Sequence, residues 1–149
     1  MDGDPVTGGG PKRIAAVAIA VHDMDEAILS YEKLGFSVRE RSPRSDWGIE
    51  GAILDVDNAM LELLAPVDLD RPAAQKFKAL LDDRGSGLYM LAIEVDDADA
   101  KYEELQEAGV KVPSPPAATP PDSGVDGRFI WPSLKATEGV MLEFIEFAK

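Results

Sequence analysis

The feature that most constrains this chain is an internal repeat. Shifting the sequence by 74 residues lays Ala18, Ile19, Val21, Asp23, Asp25 and Gly35 on Ala92, Ile93, Val95, Asp97, Asp99 and Gly109. Self-similarity at a fixed spacing means one supersecondary unit used twice. In each copy an apolar run leads into an Asp able to cap a helix, and a glycine closes the helix. Ala27, Ile28, Tyr31 and Leu34 supply the helical spacing of the first copy. A second match, Met60-Leu61-Glu62 with Met141-Leu142-Glu143, needs a shift of 81, so the second copy carries an insertion of about seven residues. Pro113 to Gly127, with five prolines and two glycines, houses it and is expected to be a mobile loop outside any sheet ladder.

Between these landmarks Ile14 to Val21, Phe36 to Arg41, Ile49 to Val56 and Ala59 to Pro66 read as strands, the last two joined at Asp57-Asn58. Ala74, Phe77, Leu80 and Leu81, between Pro72 and Gly85, read as a linker helix. The expectation is an α+β fold of two β-α-β-β-β modules, 13–66 and 85–147, joined by a helix over 70–84. With 149 residues this is one domain, 13–149, behind a flexible Gly- and Pro-rich tail over 1–12 that lacks the marks of a signal peptide.

Composition removes whole classes of function. A formal charge of −13 repels phosphate backbones and anionic lipid, so nucleic acid and membrane are excluded as partners. The apolar run at 14–21 is far short of the ~20 residues that span a bilayer. The absence of cysteine excludes a disulfide scaffold, a thiolate metal site and a Cys nucleophile, and points to a cytoplasmic address. The single histidine, His22, falls in the turn before the first helix, where it reads as solvated.

Side chains alternate across a strand, so each repeat strand has two faces. One face of the first strand is Ala15, Val17, Ile19 and Val21, bulky enough to lie under a helix; the other is Ile14, Ala16, Ala18 and Ala20, nearly bare. Leu88, Met90, Ala92 and Glu94 answer to the bare face in the second copy. The closing strands offer Met60, Glu62, Leu64 and Met141, Glu143, Ile145. If these strands share a concave surface, it is an apolar hollow with two carboxylates facing in. Glutamates so placed lose solvation and suit general acid–base chemistry or a hard cation. The plainer alternative is that both are solvated, or pair with Arg128, Arg39 or Lys135. Met60, Met90 and Met141 offer adaptable apolar contacts, and Tyr89, Trp47 and Trp131 stacking surfaces, although core packing accounts for such residues equally well.

The chain resembles the vicinal oxygen chelate superfamily of glyoxalases, bleomycin-resistance proteins and extradiol dioxygenases, and within it is most similar to methylmalonyl-CoA epimerases. Arg13 to Val21 with Asp23 and Ala27, Tyr31 to Phe36, Leu61 to Pro66, Gly85 to Leu88, Ala92 to Asp97 and Gly139 to Glu143 carry the resemblance. It implies paired modules curling a mixed sheet around a central cavity, often completed by a homodimer. It also implies a divalent metal on one residue from the first and last strand of each module, positions held here by Ala16, Glu62, Met90 and Glu143. Tyr89 and Trp131, before Pro132, stand where epimerases often carry further histidines. With both ligand histidines replaced, no metal and no other cofactor is expected. The resemblance further implies two acid–base groups, one matching Glu143 and one in the turn Arg44-Ser45-Asp46-Trp47-Gly48, where Asp46 is the candidate.

Two functions follow as expectations. One is a metal-free isomerase, epimerase or cyclase using Glu62 and Glu143 on a small, largely apolar substrate held by Ala16, Ala18, Met60, Tyr89, Met90, Ala92, Trp47, Trp131 and Met141. The alternative is a non-catalytic small-molecule binder of the antibiotic-resistance kind. Lys12, Arg13, Arg39, Arg41 and Arg44 are either solvated or available to a CoA phosphate.

Overall fold

The structure, a computed structural model, describes residues 10–149, so most of the expected tail lies outside the described residues. The elements run β1 (Arg13–Ala20), α1 (Met24–Lys33), β2 (Val38–Arg44), a 3-10 turn (Ser45–Trp47), β3 (Ile49–Leu54), β4 (Met60–Pro66) and α2 (Pro72–Arg84). They continue with β5 (Gly87–Glu94), α3 (Ala98–Glu107), β6 (Ala117–Ala118), β7 (Gly127–Ile130) and β8 (Leu142–Phe147). This is β-α-β-β-β twice with α2 between, the α+β order expected from the repeat.

The repeat is visible down to its caps. The Asp23 carboxylate accepts the Glu26 N–H at 2.9 Å, and the Asp97 carboxylate accepts the Ala100 N–H at 3.0 Å. After each helix the chain turns at a glycine in the left-handed region, Gly35 at φ 100° and Gly109 at φ 76°. Asp23→Ala is expected to cost about 1 kcal/mol, read as a lower urea midpoint with an unchanged denaturant slope.

The described chain divides into two compact units. One comprises Ala16–Tyr89 with Pro120–Val125; the other comprises Met90–Thr119 and Asp126–Lys149 with the residues up to Ala15. In the first the strand order is β2-β3-β4-β1, with β1 parallel to β4 and the other pairs antiparallel. In the second it is β5-β8-β7-β6, with β5 parallel to β8. Each is therefore a mixed arrangement.

Core burial follows the alternation of the strands. Val21 and Met24 cluster with Ala52, Leu54, Leu63 and Ala65, and Ile19, Ala27, Ile28 and Tyr31 pack against them. That is the helix-covered face of the first unit, and Ala16, Ala18 and Ala20 take the other.

Two expectations need correction. The second strand does not end at Arg41 but runs to Arg44 through Pro43. Strand β2 lies at the outer end of its unit and pairs with β3 alone, where a residue without an N–H is tolerated. The Pro113 to Gly127 segment, expected to hold no ladder, contains β6, which pairs Ala117 with Phe129 and Ala118 with Arg128. Two residues fit between flanking prolines because the prolines lie outside the paired positions. Further along, Ser123 is 1% exposed, and its hydroxyl donates to the Pro120 carbonyl at 2.8 Å.

Candidate functional site

Strand register puts the two glutamates in equivalent places. In the first unit Ala18 lies opposite Glu62 and Ala16 opposite Met60; in the second Ala92 lies opposite Glu143. The 74- and 81-residue shifts thus become one structural position, an alanine beside a glutamate. Glu62 is 5% exposed and Glu143 7%. Carboxylates this buried need partners, because desolvation of an unpaired charge is severe.

The partner of Glu62 is Arg44, not Arg39, Arg128 or Lys135. Arg44 Nη2 donates to Glu62 Oε2 at 3.0 Å, and each side chain is 7% exposed. β2 and β3 bring them together: Arg44 lies opposite Ile49, Ser42 opposite Gly51, and Ile53 opposite Glu62, all on the face away from α1. The guanidinium reaches Glu62 by lying across Gly51, where any Cβ would overlap Nη1. Glycine is required there by close approach, not by backbone angle. Arg44 Nη1 is buried and has no hydrogen-bond partner, a donor whose desolvation costs about 1–3 kcal/mol. Burial pushes the Glu62 carboxyl above the ordinary carboxylate range, and the Arg44 guanidinium pulls back part of that rise.

Glu143 has a different partner. Trp131 Nε1 donates to Glu143 Oε2 at 2.9 Å, and the indole lies against Phe129, centroids 4.8 Å apart and planes tilted by 42°. The residue expected as a stacking surface therefore also orients a carboxylate. Glu62 thus accepts from the Arg44 guanidinium and Glu143 from the Trp131 indole, each within its own unit.

The remaining candidates fall as follows. Ala16, Ala18 and Ala92 are buried, Ala18 with no exposed surface. Met60, Met90 and Met141 are half-buried. Tyr89 packs edge-on against Phe77 of α2, centroids 4.9 Å apart. In the 3-10 turn after β2, Asp46 is exposed and Trp47 half-buried. His22 is exposed in the turn before α1, as expected, and lines a surface groove of about 520 Å³ with Asp23, Glu26, Ser30 and Tyr31. The basic residues that could meet a CoA phosphate are engaged. Lys12 pairs with Asp96, Arg13 with Glu94, Arg39 with Asp55, and Arg41 with Asp25 and Glu50.

A divalent ion does not fit the four positions at which the resemblance implies ligands. Ala16 has no donor atom, Met90 offers only a soft thioether, and the Glu62 carboxylate already holds a guanidinium whose charge opposes a second cation. Among the described residues no group of three or more His, Cys, Asp or Glu side chains is gathered to hold a metal. Sequence reasoning offered Arg44 only as solvated or as a phosphate contact and missed its pairing with Glu62. The signal for it was Gly51, a glycine inside an apolar strand, which marks a close approach by another group.

Residues 17–148 match the glyoxalase-like domain model, and the chain belongs to that family, the vicinal oxygen chelate class. Its relatives include human mitochondrial methylmalonyl-CoA epimerase, 32% identical over 111 residues, which are 72% of this chain and 61% of the human protein. This chain thus spans less than two thirds of that relative's length. The ethylmalonyl-CoA/methylmalonyl-CoA epimerase of Cereibacter sphaeroides is 32% identical over 101 residues, covering 67% of this chain and 73% of its own. The crystal structure of methylmalonyl-CoA epimerase from Mycobacterium tuberculosis has a TM-score of 0.79 at 30% identity, covering 98% of this chain and 94% of that one.

Proposed function

We propose that this chain is an acid–base isomerase of the epimerase type that works without a metal ion on a 2-substituted acyl thioester. The observation that carries the reading is the paired register: an alanine beside a buried glutamate at the same place in both repeats. A buried carboxylate oriented by a neutral N–H donor suits proton abstraction, and Glu143 accepts from Trp131 in this way. Glu62 is committed to its ion pair with Arg44, so its part is to anchor that guanidinium. Asp46 keeps the role of second acid–base group.

In this reading Glu143 takes the proton from the carbon next to the thioester carbonyl, and the electron pair passes into that carbonyl as an enolate. Asp46 returns a proton to the same carbon, and exchange with water resets both carboxyls. The relatives are epimerases of methylmalonyl-CoA and ethylmalonyl-CoA by name, which supports a 2-alkylmalonyl thioester as substrate class. They lend no support to the non-catalytic binder.

The test is solvent exchange. Methylmalonyl-CoA or ethylmalonyl-CoA incubated with the protein in D2O is expected to gain deuterium at the 2-position faster than in a protein-free control, equally with and without chelator. No acceleration with either thioester overturns the isomerase reading; acceleration that vanishes in chelator overturns its metal independence.

A further inference from the structure

Three features of Arg44 stand outside the proton-transfer account. It is 6% exposed, an extreme degree of burial for an arginine. Its seat exists only because position 51 is glycine, since a Cβ there would overlap Nη1. Its Nη1 is buried without an acceptor, while Nη2 is fixed by Glu62. A guanidinium used only to neutralise Glu62 would need neither the glycine seat nor a spare donor, and a fork of donors is the geometry that matches a second carboxylate.

We propose that Arg44, anchored by Glu62 across Gly51, is a proton-linked binding site for the substrate's carboxylate. The inference rests on the isomerase reading for the source of that carboxylate, the free acid group of a malonyl-type thioester. The link to a proton follows from charge. Arg44 and Glu62 together are neutral, so a second carboxylate would leave a buried net negative charge, which a low-dielectric setting opposes. The least costly relief is for Glu62 to take up a proton as the ligand binds, passing the guanidinium from one carboxylate to the other.

The surroundings favour Glu62 as the group that responds. Its neighbours in register, Ala18 on β1 and Ile53 on β3, do not ionise, nor do Met60 and Leu64 along β4. On β2 the charged side chains on that face are Arg44 and Glu40. On the 120–125 segment it is Asp122, which Ser45 holds through its N–H and hydroxyl and which is kept below its ordinary range chiefly by that hydroxyl. Asp122 therefore stays ionised, while burial already draws Glu62 towards its neutral form. Both members of the pair keep 7% of their side-chain surface exposed.

The probe is malonate, titrated calorimetrically into the full chain in two buffers of different ionisation heat. Wild type is expected to bind with uptake of about one proton, and affinity is expected to fall at least tenfold (~1.4 kcal/mol) from pH 6 to pH 8. Gly51→Ala, which pushes the guanidinium off its seat, should weaken binding at least tenfold. Glu62→Gln, a neutral mimic of the protonated anchor, should bind at least as tightly as wild type at pH 8 and without proton uptake. Arg44→Met with Glu62→Met, a pair that keeps the interior apolar and the fold intact, should not bind. The proposal is overturned if wild type fails to bind malonate, if the double variant binds like wild type, or if Glu62→Gln still takes up a proton. No turnover is needed: malonate binding without deuterium exchange keeps this site and removes the isomerase reading, and exchange with malonate affinity unchanged in the double variant does the reverse.

Discussion

Arg44→Met is expected to destabilise the chain by about 3–5 kcal/mol at pH 8, the cost of leaving one member of a buried ion pair alone. In a chain of this size that is a fall in Tm on the order of 10 °C. The loss should depend on pH in a direction the structure sets. Burial holds the Glu62 carboxyl above its ordinary range in the folded chain, so on raising the pH the unfolded chain gives up this proton first. Stability from the protonated form is complete below the ordinary carboxylate value, about 4.3, and is lost as the pH climbs through the raised folded value. Without the guanidinium the folded value moves higher still and the window widens. The deficit relative to wild type should therefore be smaller at pH 5 than at pH 8. Adding Glu62→Met should recover most of it, because replacing both members of a buried pair by packed apolar side chains is often neutral or better. A deficit that is equal at both pH values, or that Glu62→Met deepens, would show that Arg44 stabilises by packing and not by charge.

Glu143→Gln is expected to lower the deuterium exchange rate by a factor of about 10²–10⁴ with the fold intact. The amide keeps an oxygen able to accept the Trp131 Nε1–H bond of 2.9 Å, so the side chain stays in place while its ability to take a proton is gone. Trp131→Phe separates position from chemistry, because it removes the donor and spares the carboxylate. It should act much more weakly on the rate and shift its pH profile upward, since loss of a hydrogen bond to the charged form makes the carboxyl harder to ionise. If Glu143→Gln exchanges at the wild-type rate, the proton is carried elsewhere.

The parts of this molecule legible in its sequence are those fixed by local rules applied twice. Asp23 and Asp97 announce their helices because each lies one residue before a helical pattern and 74 residues from its double. The bare and covered faces of β1 follow from alternation alone, and the repeat gives Glu62 and Glu143 equivalent places, while their register beside Ala18 and Ala92 needed the structure. What the sequence hid is non-local. Arg44 and Glu62 are 18 residues apart and meet across an intervening strand, a contact with no periodic signature. Pro43 disguised it further by suggesting that the strand stopped early, since its missing N–H is harmless only on an outer strand. The Pro-rich insertion misled for a related reason. Its prolines forbid a long ladder, yet the two alanines between them are enough for a short one, and its buried serine is anchored by residues far away in the chain.

That insertion also bears on whether the two repeats could still live apart. Pro120–Val125 interrupts the second repeat but packs as part of the first unit. Ser42 donates its hydroxyl to the Ser123 carbonyl at 2.8 Å, the Ser45 N–H meets Asp122, and Gly124 leaves room for the Glu40 carboxylate. These contacts lie along β2 and the turn that follows it, and β2 is the outer strand of that unit, whose open backbone would otherwise serve as a template for strand addition by another chain. The first repeat thus borrows the guard of its own margin from the second. A gene cut between the halves would yield a fragment with its helix and core complete but its flank undressed and prone to self-association. The asymmetry that breaks the duplication is what makes the duplicated chain indivisible.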